Sequence, residues 1–223
     1  MKIIAIIPAG GIGKRFDTEL PKQFVTYKNE PIIIRTLRVF ENIPEVEKII
    51  IPLKADYNKL CMDLIQYFGI KKSIELVEGG QERQDSVANA LEHPDAQNAD
   101  FILVHDAVRP FATEDLIRRI IQSAIEFGAS IPALQPTETI KQMDENNFVV
   151  QTFDRTKLAT IQTPQGFKRE IIMHAYQNAQ QKMLKATDDA QLAEFAGYPV
   201  KVIEGEDSNI KITTKIDLSK DIG

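Results

Sequence analysis

The chain has 223 residues, enough for one large domain or two small ones around a substantial buried core. With 43% hydrophobic and 26% charged residues, a net charge of -5 and no apolar run near the ~18–20 residues of a membrane span, it reads as an ordinary globular protein, with no membrane partner and no basic face for nucleic acid. Its single cysteine, Cys61, excludes an internal disulfide or a cysteine zinc cluster, and the N-terminus has no signal-peptide pattern, so a cytoplasmic, reducing compartment is expected.

Along the chain, apolar runs alternate with helical patterns. KIIAIIP predicts a strand and PIIIRTLRVFEN a helix with Pro31 at its start. VEKIIIPL is a second strand, DYNKLCMDLIQYF a helix ending at Gly69, and SIELVEGG a strand entering a turn. RQDSVANALE is a short helix and DFILVHDAVRP a strand running into a loop. TEDLIRRIIQSAIEFG is a helix with Thr113 as N-cap and Gly128 as its stop, and ASIPALQ another strand. Continuous apolar strands separated by helices predict an α/β fold, a mostly parallel sheet covered on both faces with its loops along one ligand-binding edge.

From Gln135 the pattern breaks. TETIKQM and FVVQTF flank the turn-forming DENN, which predicts a hairpin over residues 135–158. Such a hairpin either projects as a dimerisation arm or packs on its own sheet. Helices then return, with strands expected at YPVKVIEG and NIKITT. No repeat or linker divides the chain, so a single domain, 1–223, with an arm is the simplest organisation.

The stretch after the first strand, PAGGIGKRFDTELPKQF, concentrates Gly10, Gly11, Gly13, Lys14, Arg15 and Lys22. A Walker loop would require Gly at position 8 and Ser or Thr at 15, where Pro8 and Arg15 stand. A dinucleotide fingerprint would place its third glycine at Phe16, and the acidic residue expected after the second strand is missing from IIIPLK. What remains is a cationic cradle. Glycines turn successive N–H groups toward an anion, and the lysines and arginine suit a triphosphate.

Asp106, in VHDAVRPF where the strand DFILV ends, puts a carboxylate at the ligand edge, where it can hold Mg²⁺. Arg109 is either phosphate-directed or paired with Asp106. The Gly79–Gly80 turn with Ser86 either reads a nucleobase edge or simply caps a helix. Thr187 with Asp188 is either a site feature or an N-cap. Lys211 alternates with Ile210 and Ile212, so it is either solvated or in a cleft.

Together PAGGIGKRF with PKQF, GGQERQDSV, VHDAVRPF, the TIK of the arm, DRTKL with QTPQGF, TDDA and GEDSNIKIT resemble the 2-C-methyl-D-erythritol 4-phosphate cytidylyltransferases of the non-mevalonate isoprenoid route over residues 2–218. The related ribitol-5-phosphate cytidylyltransferases share VHDAVRPF, TPQ and NIKIT, but Asp154 before Arg155, and TDDA, favour the erythritol family. Gly10, where that family usually has alanine, and Phe16, where it usually has methionine, are departures that remove no charge.

The resemblance implies a Rossmann-like nucleotidyltransferase fold, CTP and a polyol phosphate as substrates, Mg²⁺ as cofactor, and a homodimer joined through the arm. It implies that Arg15 and Lys22 stabilise the transition state at the α-phosphorus and that Lys211 touches substrate or α-phosphate. Pro8, Ala9, Gly10 and Gly11 would line the CTP site, with Gly80, Gln81 and Ser86 around cytosine and Asp106, with its neighbour Ala107, at the ribose and metal. Arg109, Thr163 and Thr187 would bind the acceptor, together with Thr139 and Arg155 from the neighbouring subunit. Two readings of other classes are an NAD(P)-dependent oxidoreductase, opposed by Phe16, and a non-catalytic nucleotide-binding protein, opposed by the full set of cations.

Overall fold

The computed structural model of the chain describes residues 1–11 and 20–219. Its strands are β1 (Ile3–Ile6), β2 (Thr26–Tyr27), β3 (Glu30–Pro31), β4 (Val46–Leu53), β5 (Ser73–Glu78), β6 (Phe101–Val104), β7 (Ala129–Leu134), β8 (Lys141–Met143), β9 (Val149–Thr152), β10 (Thr160–Ile161), β11 (Gln165–Lys168) and β12 (Lys201–Glu204). The α-helices are α1 (Ile32–Arg38), α2 (Asn58–Tyr67), α3 (Arg83–Leu91), α4 (Pro94–Gln97), α5 (Glu114–Phe127), α6 (Arg169–Lys182) and α7 (Asp189–Phe195).

Local chemistry sets these bounds. The Thr113 hydroxyl accepts from the Leu116 N–H at 3.1 Å to start α5, and Gly128, at φ 89°, ends it in a conformation that side chains disfavour. Pro31 lies just before α1, where its missing N–H costs nothing.

Eight strands form one sheet, in the order β10-β7-β11-β6-β1-β4-β5 with β12 also on β7. β5, β4, β1 and β6 run parallel, as do β7 and β12, whereas β11 and β10 run antiparallel to their neighbours. Alternate residues of the central strands serve opposite faces. Ile3, Ala5, Ile49 and Ile51 pack with Leu37, Cys61, Ile65 and Ile117, while Ile4, Ile6, Ile50 and Ile102 pack with Val87, Ile172, Ala175 and Leu192. Helices α1, α2 and α5 therefore cover one face, and α3, α6 and α7 the other.

The chain moves outward from β1 to β4 and β5, then returns to the other side of β1 as β6. That reversal opens a crevice outside the carboxyl ends of β1 and β6, where open α/β sheets bind ligands.

β8 and β9 pair only with each other in the sheet topology, and every residue of both is exposed. The hairpin is a small sheet of its own that pairs with no strand of the main sheet. The expectation of a strand at NIKITT is corrected: residues 209–214 carry no strand, because among the described residues only one of their backbone bonds, Ile212 N–H to Val108 O at 2.9 Å, reaches a distant segment, and the others, to Glu206, Ser208 and Asp217, are local. Ile212 is buried with Tyr27, Ile32 and Val108 in a small satellite cluster, and that burial produces the alternation seen in the sequence.

Candidate active site

The crevice at the ends of β1, β5 and β6 holds a cleft of about 530 Å³. It brings together Pro8, Ala9, Gly10, Gly11, Lys22, Gly80, Gln81, Ser86, Asp106, Ala107 and Lys211, which lie far apart in sequence. Arg15, with Lys14 and Gly13, lies outside the described residues.

The floor is the segment after β1. The Ile7 and Ala9 N–H groups donate to the Ile50 and Pro52 carbonyls, each at 2.9 Å, so the parallel ladder runs on past the strand's end. The buried Gln23 amide donates to the Ala9 carbonyl, fastening the turn that carries Lys22 to this floor. One wall is the entry to α3. The Gly80 N–H donates to Ser86 Oγ at 3.0 Å, and that hydroxyl in turn donates to the Glu82 carbonyl at 3.0 Å. Gly80 is obligatory there, because a Cβ would lie 2.2 Å from Asp85 Cβ and 2.8 Å from the Asp85 carbonyl carbon. A Cβ on Gly10 would stand 3.2 Å from Ser86 Oγ, so the hydroxyl, held by its two hydrogen bonds, would have to give by a few tenths of an ångström.

The opposite wall centres on Asp106. Arg83 Nε donates to its Oδ1 at 3.1 Å, Lys211 Nζ lies 2.8 Å from Oδ2, and Arg109 Nε lies 3.5 Å from Oδ2. Burial pushes the Asp106 carboxyl upward, but the charges of Arg83, Lys211 and Arg109 outweigh it and hold the group well below the usual carboxylate range. Both alternatives for Lys211 and Arg109 thus resolve: Lys211 points into the cleft, and Arg109 pairs with Asp106 while donating to Asn209 O at 2.7 Å.

The loop bearing Asp106 is locked from beneath. The Asp106 N–H donates to Thr163 Oγ1 at 3.0 Å, and the Thr163 hydroxyl lies 3.0 Å from His105 Nδ1. His105 Nε2 lies 2.9 Å from the Arg109 carbonyl, which can only accept. The proton of His105 is therefore on Nε2, and Thr163 donates to Nδ1. Burial lowers the His105 pKa to about 4, so the ring is neutral.

Beyond Asp106 opens a second cavity of about 260 Å³, lined by Arg109, Thr163, Thr187 and Asp188 and sharing Arg83, Asp106 and Lys211 with the first. Asp188 caps α7 by accepting from the Gln191 N–H at 2.9 Å. Two adjoining cavities around Lys22, Lys211, Arg83 and Arg109 suit two anionic substrates meeting at Asp106.

A family model described as 2-C-methyl-D-erythritol 4-phosphate cytidylyltransferase matches residues 3–221. The chain belongs to this family. A Bacillus cereus 2-C-methyl-D-erythritol 4-phosphate cytidylyltransferase is 40% identical over 213 residues, covering 96% of this chain and 93% of that protein. The crystal structure of the Francisella tularensis 2-C-methyl-D-erythritol 4-phosphate cytidylyltransferase superimposes with a TM-score of 0.82 at 33% identity, covering 98% of this chain and 97% of that one. That of a 4-diphosphocytidyl-2C-methyl-D-erythritol synthase from Anaerococcus prevotii gives 0.84 at 32% identity, covering 97% and 94%.

Membership in the methylerythritol phosphate cytidylyltransferase family makes this chain a transferase of the isoprenoid route, and the ribitol alternative is not favoured. Family enzymes are nucleotidyltransferases that typically use a divalent metal. Among the described residues no group of three His, Cys, Asp or Glu side chains is placed to hold an ion. Of the two carboxylates that line the cleft among the described residues, Glu82 is exposed at the entry to α3 and Asp106 is buried in the wall, a sparse donor set that fits a metal arriving on a triphosphate.

Thr139 and Arg155 line neither cavity. Both are exposed on the arm segment, where the Arg155 guanidinium donates to the Thr137 carbonyl. Sequence reasoning missed Gln23 and Asn209, whose buried side chains bond Ala9 O and, at 2.8 Å, Thr163 O. It also gave no role to Arg83 or Asp189. Only their placement inside PKQF, GEDSNIKIT, GGQERQDSV and TDDA marked them.

Proposed function

We propose that the chain transfers CMP from CTP to 2-C-methyl-D-erythritol 4-phosphate, an acceptor phosphate oxygen attacking the α-phosphorus while pyrophosphate leaves. The observation that carries this mechanism is the cleft in which Lys22 and Lys211 flank a glycine-rich floor and the buried Asp106 carboxylate. Its neighbouring histidine is buried and neutral. A phosphomonoester dianion is already a nucleophile, so such a site needs positioned charge and no strong base.

In this reading the N–H groups of Gly10 and Gly11, with Pro8 and Ala9 beside them, receive the triphosphate. Gly80, Gln81 and Ser86 border the cytosine, and Asp106 and Ala107 the ribose. Lys22 and Arg15 stabilise the charge that grows on the α-phosphate oxygens. Lys211 holds the acceptor phosphate or the α-phosphate, and Arg109, Thr163 and Thr187 form the acceptor cavity. Thr163 does so chiefly by holding the loop, since its hydroxyl is committed to Asp106 N–H and His105. Mg²⁺, beside Asp106, would neutralise the leaving pyrophosphate.

We infer further that the chain is one domain, residues 1–223, whose arm, residues 135–158, joins two copies. The arm exposes Phe148 at 72%, Val150 at 60% and Val149 at 56%. An apolar strip on an exposed hairpin calls for a partner surface, and a second copy would receive Thr139 and Arg155 beside its acceptor cavity. No helix among the described residues is long and apolar enough to cross a membrane.

The test is pyrophosphate release from CTP and Mg²⁺ with methylerythritol phosphate or ribitol 5-phosphate. Release with methylerythritol phosphate alone supports the reading. Release only with ribitol phosphate keeps the chemistry and overturns the acceptor, and silence with both overturns the mechanism.

A further inference from the structure

Arg83 is the first residue of α3 and borders both cavities. Its guanidinium is bound at two points. Nε donates to Asp106 Oδ1 at 3.1 Å, and Nη2 donates to Asp189 Oδ2 at 2.7 Å. Asp189 is only 1% exposed, and its other oxygen accepts from the Tyr176 hydroxyl at 2.6 Å. Both Asp189 oxygens are thus engaged, deep between α6 and α7, by partners that no ligand in the cleft can replace without stranding a buried charge.

The groups on the far side of Asp106 are held differently. Lys211 has a side chain 39% exposed and hangs from a segment without a strand. In the reading above it also has a phosphate to serve. When substrates arrive, Lys211 can exchange Asp106 for phosphate, and Arg109 stays 3.5 Å from Asp106 with its Nε making no hydrogen bond. Among the described residues Arg83 alone approaches Oδ1, and it is itself fixed from behind.

We propose that Arg83, anchored by Asp189 and Tyr176, is a positioning residue that holds the Asp106 carboxylate in its working orientation at the junction of the two cavities. The planar fork of arginine is what the role requires, since one lysine ammonium cannot span two carboxylates in a fixed geometry. The inference rests on the reading of Asp106 as a site residue.

The experiment is a kinetic cycle on the intact enzyme with Arg83→Lys, Asp189→Asn, the double variant, Tyr176→Phe and Asp106→Asn, measuring kcat, both KM values and the thermal midpoint. Arg83→Lys and Asp189→Asn should each lower kcat by at least about tenfold with the acceptor KM changed less than about threefold. The double variant should fall no further than the worse single, because Asp189 acts through Arg83. Losses that multiply, or a lowered thermal midpoint with kcat intact, would overturn the proposal. If Asp189→Asn does not fold, Tyr176→Phe paired with Arg83→Lys provides the same cycle on a smaller scale. Wild-type kcat in Asp106→Asn would withdraw the reading of Asp106 and this inference with it. An impaired Asp106→Asn beside a normal Arg83→Lys would withdraw the inference alone.

Discussion

Adding a single methyl group at Gly80 tests the nucleotide wall. In Gly80→Ala the new Cβ would meet Asp85 Cβ at 2.2 Å, the Asp85 carbonyl carbon at 2.8 Å and the Ser86 nitrogen at 2.9 Å. Ordinary carbon contacts lie near 3.5–4.0 Å, so the first turn of α3 has to retreat by about 1 Å. No rotamer relieves this, because two of the three atoms are backbone. The retreat breaks the 3.0 Å bond from Gly80 N–H to Ser86 Oγ and displaces Arg83 from Asp106. Overpacking costs about 1–3 kcal/mol and the lost hydrogen bond about 1 kcal/mol, giving a destabilisation of about 2–4 kcal/mol. A misplacement of that size also costs on the order of 10²-fold in kcat/KM for CTP. Urea unfolding and CTP-dependent kinetics read the two effects separately. Gly11→Ala is the stability control, since no described residue lies within 4 Å of its Cβ position. A Gly80→Ala enzyme with the wild-type urea midpoint and wild-type kcat/KM for CTP would refute the reasoning.

Three further outcomes are expected. Lys22→Ala should lower kcat about 10²-fold, some 2.7 kcal/mol, with KM for CTP little changed; a raised KM at normal kcat would assign Lys22 to ground-state binding. Phe148→Glu combined with Val150→Lys should halve the mass measured by light scattering and lower activity, whereas an unaltered mass would remove the arm from the interface. Asp95 accepts from Lys2 at 2.6 Å and Lys48 at 2.5 Å, and these bonds depress its pKa to about 2. Its stabilisation is therefore complete above the ordinary carboxylate pKa near 4 and is lost as pH falls from about 4 to about 2. For so open a cluster the effect is about 1 kcal/mol, so the stability gap between wild type and Asp95→Asn should shrink between about pH 6 and about pH 3; a constant gap would exclude the linkage.

Where periodicity and capping agree, the sequence reads directly as structure. Ile3–Ile6 and residues 49–53 of β4 are apolar because both sheet faces are covered, and Thr113 and Gly128 bracket α5 as their chemistry requires. Gln165–Lys168 is illegible for the opposite reason. It is a four-residue strand led by a buried glutamine, whose amide satisfies Asp188 Oδ2 at 2.9 Å and the Ala190 N–H at 3.0 Å. Nothing in QGFK announces that bonding. At the site, glycines and lysines betray an anion cradle locally, but the Arg83–Asp189 contact joins residues 106 positions apart. Thr163 was legible as a site residue, yet its hydroxyl works within the protein, through a partner 58 positions away.

The place of β11 bears on how the chain becomes a sheet at all. β11 fills the slot between β6 and β7, although both of those strands precede it in the chain. A nascent chain that has reached β7 can assemble β5, β4, β1 and β6, but β6 then ends in an open edge and β7 has nothing to join. The sheet closes only when residues 165–168 arrive and pair with both sides at once. Closure waits on contacts of long sequence separation, which slow folding, and a chain that stops short of them leaves the β6 edge unpaired. That edge, buried in the finished molecule, is where a stalled or truncated chain would aggregate.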